Sequence, residues 1–362
     1  MQVPLANPFL DEEMLSEANR VLKEEFFLGG ESVADFESEL EAYFSVDHAV
    51  TVDSGTRALQ LSIEGMGIGE GDTVLTTPAT FIATANAILR AGATPRFVDI
   101  DLNNYGPDFT AVEQIVEDEQ IDAVLPIHLY GYPIDIEGLR DIVGDIPIIS
   151  DACQAHGAAR DGKKVGSMAD AAALSFYPSK NITVAGDGGA ILTDDSSLAR
   201  EARSLRDVGR AESGYHHERI GYTARLNTVN AAIGNIQLKH LDTWNERRRN
   251  IATRYIDEFS DLNIHLPPAG NDSVSPAWYF YTIRTERREE LGEYLQERGI
   301  ETGQQYRLPV HLQPPYQEMG YARGDFERAE TWSETLLTLP CHQNLSDDQV
   351  DHLIESVRGF FG

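Results

Sequence analysis

The sequence predicts an α/β protein with two domains: a large domain built on a mostly parallel sheet and a smaller C-terminal α+β domain. Up to residue 227, short apolar runs alternate with helix-like stretches, and polar residues gather directly after the apolar runs; beyond 227 this alternation ends. Such alternation is typical of a parallel sheet covered by helices. We expect the large domain over residues 1–245 and the small one over 246–362, with the N-terminal segment packing on the small domain.

The elements of the large domain follow one another at short intervals. Residues 31–48 carry apolar side chains at helical spacing, and the strand-like AVTVDS comes next. Further strands are predicted within residues 73–78, 94–101, 123–131, 146–158 and 170–180. Helices are predicted between them over residues 81–93, 109–120 and 136–144. Ligands of such sheets lie beyond the carboxyl ends of the strands, so we expect a site there.

The C-terminal part of the chain has a different pattern. The stretch LNTVNAAIGNIQLKHLDTWNERRRNIATRYIDEFSDL predicts one long helix through residue 258, so the boundary near 245 lies inside a helix. A strand-like AWYFYTIRT, a helical REELGEYLQERG and a final helix in DDQVDHLIESVRGFF make up the rest of the small domain. We therefore expect no Gly/Ser-rich linker between the domains.

The charge of the chain argues against two classes of partner. Its 362 residues include 59 acidic and 29 basic ones, for a net charge of −30, so nucleic acid and anionic membranes would repel it. Lysine is scarce among the cations, and an acidic, lysine-poor composition is expected of a protein kept soluble in concentrated salt. We therefore expect a halophilic host; an ordinary acidic cytosolic protein is the alternative.

The sequence carries no targeting or metal-binding pattern. Its apolar runs are too short and too interrupted to cross a bilayer, and MQVPLANPFLDEEM has no basic stretch followed by an apolar one, so we expect a cytoplasmic protein. Cys153 and Cys341 lie far apart, and the histidines have no CxxC or HxxxH partners. Neither a disulfide framework nor a metal site is expected.

The stretch SFYPSKNITVAGDGGAIL contains the first candidate for chemistry, Lys180. The lysine precedes the glycines, and the spacing matches neither GxxxxGK[ST] nor GxGxxG, which argues against a nucleotide-binding loop. The glycines are better explained as a tight turn before the strand AILTDD. Because Lys180 has few charged neighbours, it loses hydration, and this favours the neutral amine that attacks a carbonyl. The alternative is an exposed lysine on a loop.

Asp151 gives this lysine a chemical context. It ends the apolar run IPIISD, and a buried carboxylate is costly unless it is paired. One partner would be an arginine from elsewhere in the chain. The functional alternative is the ring nitrogen of pyridoxal 5′-phosphate (PLP), which a carboxylate keeps protonated so that the ring accepts electrons.

The phosphate of such a cofactor also needs a site. Ser54-Gly55-Thr56 opens a predicted helix, where backbone N–H groups, a hydroxyl and the helix dipole favour an anion. Ser175 supplies another hydroxyl. Taken alone, Ser54-Gly55-Thr56 is an ordinary helix N-cap. Together with Lys180 and Asp151, it predicts a PLP site.

Seven motifs along the chain occur in the order found in one known family. They are SGTRAL (54–59), TPATFIATANAI (77–88), PIHLYG (126–131), SDACQAHGA (150–158), SFYPSKNITVAGDGGAILT (175–193), GYTARLNTVNAAIGNIQL (221–238) and YRLPVHLQPPY (306–316). With them the chain resembles the DegT/StrS-type nucleotide-sugar aminotransferases, which are fold-type I PLP enzymes, over essentially its whole length. The resemblance implies the fold-type I PLP-transferase architecture, PLP as cofactor, and a homodimer whose active sites lie between two subunits.

The resemblance also implies roles for individual residues. Lys180 matches the lysine that bonds the cofactor covalently and moves the proton, and Asp151 matches the partner of the ring nitrogen. The other cofactor positions are Gln154 at the ring hydroxyl, Phe81 on the ring face, and Gly55, Thr56 and Ser175 at the phosphate. The resemblance implies that Tyr306, His311 and His156 bind the substrate.

Two departures from the family pattern bear on these assignments. Many relatives carry at position 223 an asparagine that reaches the phosphate in the neighbouring subunit, and here it is threonine. Either Thr223 or Arg225 replaces that contact, or the contact is absent. Gln305 stands where histidine is frequent, which weakens any inference about the substrate.

The resemblance implies amino transfer, with L-glutamate as donor, to the keto group of a dTDP-, UDP- or GDP-linked sugar. The stretch QLKHLDTWNERRRNIATRY favours the 3-position of the sugar, whereas TFIATANAI is shared with 4-position enzymes. A sugar dehydratase, a cyclitol aminotransferase and a non-catalytic regulatory protein are the alternatives. Lys180 argues against the dehydratase branch, which has histidine at this position.

Overall fold

The computed structural model describes residues 1–211 and 215–362. The α-helices of these residues are α1 (Glu12–Glu24), α2 (Glu31–Phe44), α3 (Gly55–Gly65), α4 (Ala83–Arg90), α5 (Phe109–Asp118), α6 (Ile136–Val143), α7 (Ser196–Arg206), α8 (Thr228–Phe259), α9 (Arg288–Gln296), α10 (Pro314–Gln317), α11 (Glu327–Thr335) and α12 (Asp347–Phe361). The strands are β1 (His48–Val52), β2 (Thr73–Thr76), β3 (Thr94–Phe97), β4 (Ala123–Leu125), β5 (Ile149–Asp151), β6 (Ala159–Arg160), β7 (Lys163–Lys164), β8 (Ala171–Ser175), β9 (Gly189–Thr193), β10 (Val274–Ser275), β11 (Tyr281–Arg284) and β12 (Leu336–Leu339).

The large sheet has the strand order β1-β9-β8-β5-β4-β2-β3. Hydrogen bonding gives the runs β1-β9-β8-β5 and β3-β2-β4, and the parallel bridges Val124–Ile148 and Ile127–Asp151 join β4 to β5. Within this sheet the two pairings made by β9 are antiparallel, whereas β2–β3, β2–β4 and β5–β8 are parallel. The predicted mostly parallel sheet is confirmed. Strand β9, which follows the glycine-rich turn, is antiparallel to both of its neighbours.

Both faces of this sheet are buried, as β8 illustrates. Ala171 and Ala173 pack into one apolar cluster, and Ala172 and Leu174 pack into another. Successive side chains of a strand point to opposite faces, so both sides of β8 are covered. This explains why the strand is apolar throughout rather than alternating, as is typical of parallel sheets between helices.

The beginnings of two helices have a local cause in the sequence. The Ser54 hydroxyl accepts a hydrogen bond from the Arg57 amide at 3.2 Å, which places the start of α3 at Gly55. Asn227 does the same for α8 by accepting from the Asn230 amide at 2.9 Å. The predicted long helix is confirmed as α8, which ends one residue beyond its expected end.

The small C-terminal part of the fold is built on the antiparallel pair β11–β12. Its apolar core includes residues of α8, α9 and α12 together with Val3 from the N-terminus. The Val3 amide donates to the Gly299 carbonyl at 2.8 Å, and the Glu301 amide donates to the Val3 carbonyl at 2.9 Å. The N-terminal segment therefore lies against this core. Position 245, where the sequence predicts the domain boundary, falls inside α8, and the boundary itself stays a prediction. No helix of the described residues is long and apolar enough to cross a membrane.

Candidate active site

A cavity of about 490 Å³ lies beyond the carboxyl ends of β5 and β8, beside the first turn of α3; we call it the inner cavity. Its lining residues come from segments far apart in the sequence and include Gly55, Thr56, Phe81, Thr84, Asp151, Cys153, Gln154, Ser175, Lys180, Asp187, Tyr279 and Tyr306. The fold thus brings together, at the expected edge of the sheet, the sequence-predicted cofactor residues other than Arg225.

Asp151 is the last residue of β5, and only 6% of its surface is exposed. Its Oδ2 atom accepts a hydrogen bond from the Thr84 hydroxyl at 2.7 Å, and its Oδ1 atom accepts from the Cys153 amide at 3.1 Å. Both partners are neutral, and no ion pair within residues 1–211 and 215–362 includes this carboxylate. A buried carboxylate is costly without a positive partner. The protonated ring nitrogen of PLP in the inner cavity fits this requirement.

Lys180 lies in the connection between β8 and β9, five residues after Ser175. Its Nζ atom is 4.2 Å from the centre of the Tyr279 ring. The Tyr279 hydroxyl is 2.9 Å from the Ser179 hydroxyl, which fixes the ring beside the lysine. No carboxylate of the described residues pairs with Lys180. Its amino group is therefore available for a covalent bond inside the cavity.

The start of α3 forms a close contact with the end of β8. A Cβ atom added at Gly55 would lie 2.6 Å from the Ser175 Cβ and 2.9 Å from the Cys153 Sγ, so only glycine fits here. The first backbone N–H groups of α3 therefore open into the cavity beside the Ser175 hydroxyl. Orphan helix N–H groups with adjacent hydroxyls bind phosphate well. This cradle fits the phosphate of PLP.

Gln154 is held between two tyrosines. Its Oε1 atom accepts from the Tyr130 amide at 2.8 Å, and its Nε2 atom donates to the Tyr306 hydroxyl at 3.2 Å. Burial raises the pKa of the Tyr306 hydroxyl well above its usual value, so this group stays neutral. The Phe81 ring centre is 5.5 Å from that of Tyr306, and both rings line the inner cavity. Tyr306 is the predicted substrate-binding residue that the fold places here.

The two histidines expected to bind substrate lie outside the inner cavity, and their part in substrate binding stays a prediction. His156 is fully buried against Phe176, and burial lowers its pKa to about 3. His311 is fully buried with its Nε2 atom 3.0 Å from Glu330 Oε1, and burial lowers its pKa as well. Neither lines the inner cavity. Within residues 1–211 and 215–362, no group of three or more His, Cys, Asp or Glu side chains is placed to hold a metal ion.

Arg225 also lies outside the inner cavity of its own chain. Its Nη1 atom pairs with Asp207 Oδ1 at 2.9 Å, and it lines a separate cavity of about 280 Å³ together with Arg203 and Arg206. Thr223 is exposed on the same segment and forms a backbone bridge with Asp207. Any contact of Thr223 or Arg225 with a cofactor would have to be made in a neighbouring subunit, and this stays a prediction.

Three residues of the site were not predicted from the sequence. Thr84 holds Asp151, Cys153 lies beside the phosphate cradle, and Tyr279 contacts Lys180. Burial raises the pKa of the Cys153 thiol well above its usual value, so it stays protonated. Thr84 lies in the motif TPATFIATANAI and was within reach of the sequence argument. Tyr279 comes from a distant segment, and no local pattern points to it.

Comparisons with known proteins find relatives over nearly the whole chain. The model of the DegT/DnrJ/EryC1/StrS aminotransferase family matches residues 8–358. A dTDP-3-amino-3,4,6-trideoxy-alpha-D-glucose transaminase from Streptomyces venezuelae is 40% identical, over 97% of this chain and 95% of its own length. The structure of S. venezuelae DesV is similar at a TM-score of 0.94 and 39% identity, covering 99% of this chain and 98% of its own. Helicobacter pylori PseC, an aminotransferase involved in pseudoaminic acid biosynthesis, is similar at a TM-score of 0.93 and 28% identity, covering 100% and 99%.

Proposed function

We propose that this chain, which belongs to the DegT/DnrJ/EryC1/StrS aminotransferase family, transfers an amino group from L-glutamate to carbon 3 of a nucleotide-linked keto sugar. It is a PLP-dependent aminotransferase of nucleotide-linked sugars. L-glutamate as the amino donor and carbon 3 as the aminated position are the parts that we propose. The observation that carries the proposal is the meeting of Lys180, Asp151 and the Gly55 cradle in one cavity. The 3-amino sugar named for the S. venezuelae relative supports the position.

The residues of the inner cavity match the parts of PLP. Lys180 would hold it through a covalent bond, and Asp151 would pair with its ring nitrogen. Its phosphate would be bound by the first turn of α3 at Gly55 and Thr56, with the Ser175 hydroxyl. When bound, PLP supplies a ring that accepts electrons from the carbon next to the transferred nitrogen. Phe81 lies at the cavity wall as a candidate to cover the ring, and Gln154 as a candidate for its hydroxyl.

The chain itself moves the proton. Lys180 Nζ would accept the proton from the donor carbon and would give a proton to the acceptor carbon. Tyr279 keeps this atom at the cavity wall through the contact of 4.2 Å between Nζ and the ring centre. Thr84 and the Cys153 amide orient the Asp151 carboxylate throughout, because both hydrogen bonds come from the protein.

We also infer that the enzyme is a homodimer with shared active sites. Phe26 and Phe27 follow α1 and are 82% and 61% exposed, and adjacent exposed aromatic side chains favour a covering partner. In light scattering, the PLP-loaded protein is expected at twice the mass of one chain. The double substitution Phe26→Asp with Phe27→Asp should give single chains with low activity. A wild-type protein that is monomeric and fully active would contradict this inference.

A panel of acceptors tests the function directly. UDP-, dTDP- and GDP-linked 3-keto and 4-keto sugars are each incubated with L-glutamate and the PLP-loaded enzyme, and the products are identified by mass spectrometry. We expect an amino sugar and 2-oxoglutarate in equal amounts. A dehydrated sugar would indicate a dehydratase instead, and an aminated cyclitol would indicate a different acceptor. Absence of turnover with every acceptor and donor would favour a regulatory protein.

A further inference from the structure

Tyr130 has a backbone conformation that is unfavourable for a tyrosine. It lies in the motif PIHLYG directly after β4, and its φ is +59°, in the left-handed region that bulky side chains rarely adopt. The residue is only 4% exposed, and its ring packs against Tyr105, Phe280 and Trp332. Strained residues of this kind persist where the surrounding structure fixes them, and they gather at functional sites. The contacts of Tyr130 show what this strain could serve.

The backbone of Tyr130 holds two residues that line the inner cavity. Its N–H group donates to Gln154 Oε1 at 2.8 Å, and its carbonyl accepts from the Tyr279 amide at 2.9 Å. Trp278, which precedes Tyr279, has a φ of +47°, so a second strained residue lies at the same contact. These two hydrogen bonds fix the side chain of Gln154 and the backbone that carries the ring beside Lys180.

The hydroxyl of Tyr130 holds a third part of the cavity wall. It donates to the carbonyl of Gln305, the residue directly before Tyr306. Backbone hydrogen bonds to other segments hold this stretch of chain at Gly303 and again at Val310. Between those two points, the residues that the structure describes give the backbone no other hydrogen bond to a different segment. The placement of Tyr306 therefore depends on this one hydroxyl.

We propose that Tyr130 is a positioning residue for the half of the reaction that aminates the sugar. It does not line the inner cavity and acts through Tyr306, which its hydroxyl keeps within reach of Gln154. The same hydroxyl contacts neither Lys180 nor Asp151, so the half of the reaction that uses L-glutamate does not depend on it. This inference rests on the proposed function in taking Tyr306 to face the sugar.

Hydrogen exchange of the PLP-loaded protein, followed by mass spectrometry, tests the contact without any substrate. Tyr130→Phe removes the hydroxyl and keeps the ring and both backbone hydrogen bonds. Tyr255→Phe is the matched control, because Tyr255 is also buried and donates to a backbone carbonyl, that of Pro340 at 3.0 Å, but lies outside the inner cavity. We expect the amides of residues 304–308 to exchange about tenfold faster in Tyr130→Phe. In Tyr255→Phe their exchange should equal that of the wild type.

Kinetics of the two halves of the reaction test the role. In Tyr130→Phe, kcat/KM for the nucleotide sugar should fall about 5- to 20-fold, whereas the rate with L-glutamate alone should stay within about twofold of the wild type. Because Tyr130 acts through Tyr306, the double variant with Tyr306→Phe should lose less than the product of the two single losses.

Three results would overturn the proposal: unchanged exchange of residues 304–308 in Tyr130→Phe, an unchanged kcat/KM for the sugar, or an equal loss in both halves of the reaction. Losses that multiply in the double variant would show that Tyr130 does not act through Tyr306. A wild type that aminates no nucleotide sugar would contradict the proposed function instead, and the exchange experiment, which needs no sugar, tells the two failures apart.

Discussion

The substitution Asp151→Asn tests whether the buried charge at the end of β5 is what the site requires. Asparagine keeps the shape of the side chain and both of its protein contacts. The Cys153 amide still donates to the side-chain oxygen, and the Thr84 hydroxyl accepts from the amide nitrogen in place of donating. We therefore expect a folded protein whose free energy of unfolding is within about 2 kcal/mol of the wild type.

The expected effect on catalysis is much larger. The partners of Asp151 in the protein are neutral and the residue is 6% exposed, so we expect its charge to serve a cation that binds in the cavity. Removing one member of a buried ion pair costs about 3–5 kcal/mol. At about 1.4 kcal/mol for each factor of ten, that predicts a loss of about 100- to 5,000-fold in the rate of amino transfer.

The rate with L-glutamate alone is the appropriate assay, because it needs no sugar substrate and follows the absorbance of the bound cofactor. Asp187→Asn is the matched control, since Asp187 is an exposed carboxylate in the wall of the same cavity. We expect this control to stay within about fivefold of the wild type. A rate for Asp151→Asn within tenfold of the wild type would refute the reasoning, as would an equal loss in the control.

Further predictions concern the lysine, the cradle, a buried histidine and salt. Lys180→Ala should still bind PLP but lose the bond that borohydride traps; a trapped adduct in this variant would place the bond on another residue. Gly55→Ala should weaken PLP binding at least about tenfold, because the new Cβ would lie 2.6 Å from that of Ser175; equal affinity in a titration of the apoprotein would contradict the cradle. The pKa of His156 in the folded protein is lowered to about 3, so below about pH 6.5 the unfolded chain takes up a proton that the folded chain does not. Stability therefore decreases as the pH is lowered. Between pH 7 and pH 5 this proton uptake lowers the free energy of unfolding by about 2 kcal/mol. His156→Phe should remove that loss when stability is measured by urea unfolding at both pH values; an unchanged loss in the variant would contradict the prediction. With a net charge of −30, the midpoint of thermal unfolding should rise from low to molar KCl, and a flat profile would count against salt adaptation.

Much of the site was predictable because its residues follow strands. Asp151 and Ser175 are the last residues of β5 and β8, and the fold gathers the ends of parallel strands at one edge. The direction of β9 was not predictable in this way. Its residues are apolar on both faces like those of a parallel strand, and only its neighbours β1 and β8 show that it runs antiparallel.

The sequence could not show which side chains face the cavity. His311 lies five residues after Tyr306, yet it turns into the core toward Glu330 while Tyr306 lines the inner cavity. Arg307 and Phe81 line one cavity of about 470 Å³ only because segments more than 200 positions apart converge. Helix α1 was not predicted from the sequence, because its buried residues Met14 and Val21 are seven positions apart and give a weak periodic signal.

Transfer of labelled nitrogen tests the central claim most directly. The PLP-loaded enzyme is given ¹⁵N-labelled L-glutamate and a dTDP-linked 3-keto sugar, and the sugar product is examined by mass spectrometry and NMR. We predict one ¹⁵N atom on carbon 3 of the sugar and no product from Lys180→Ala. A sugar product without the label, or the same labelled product from Lys180→Ala, would contradict the account.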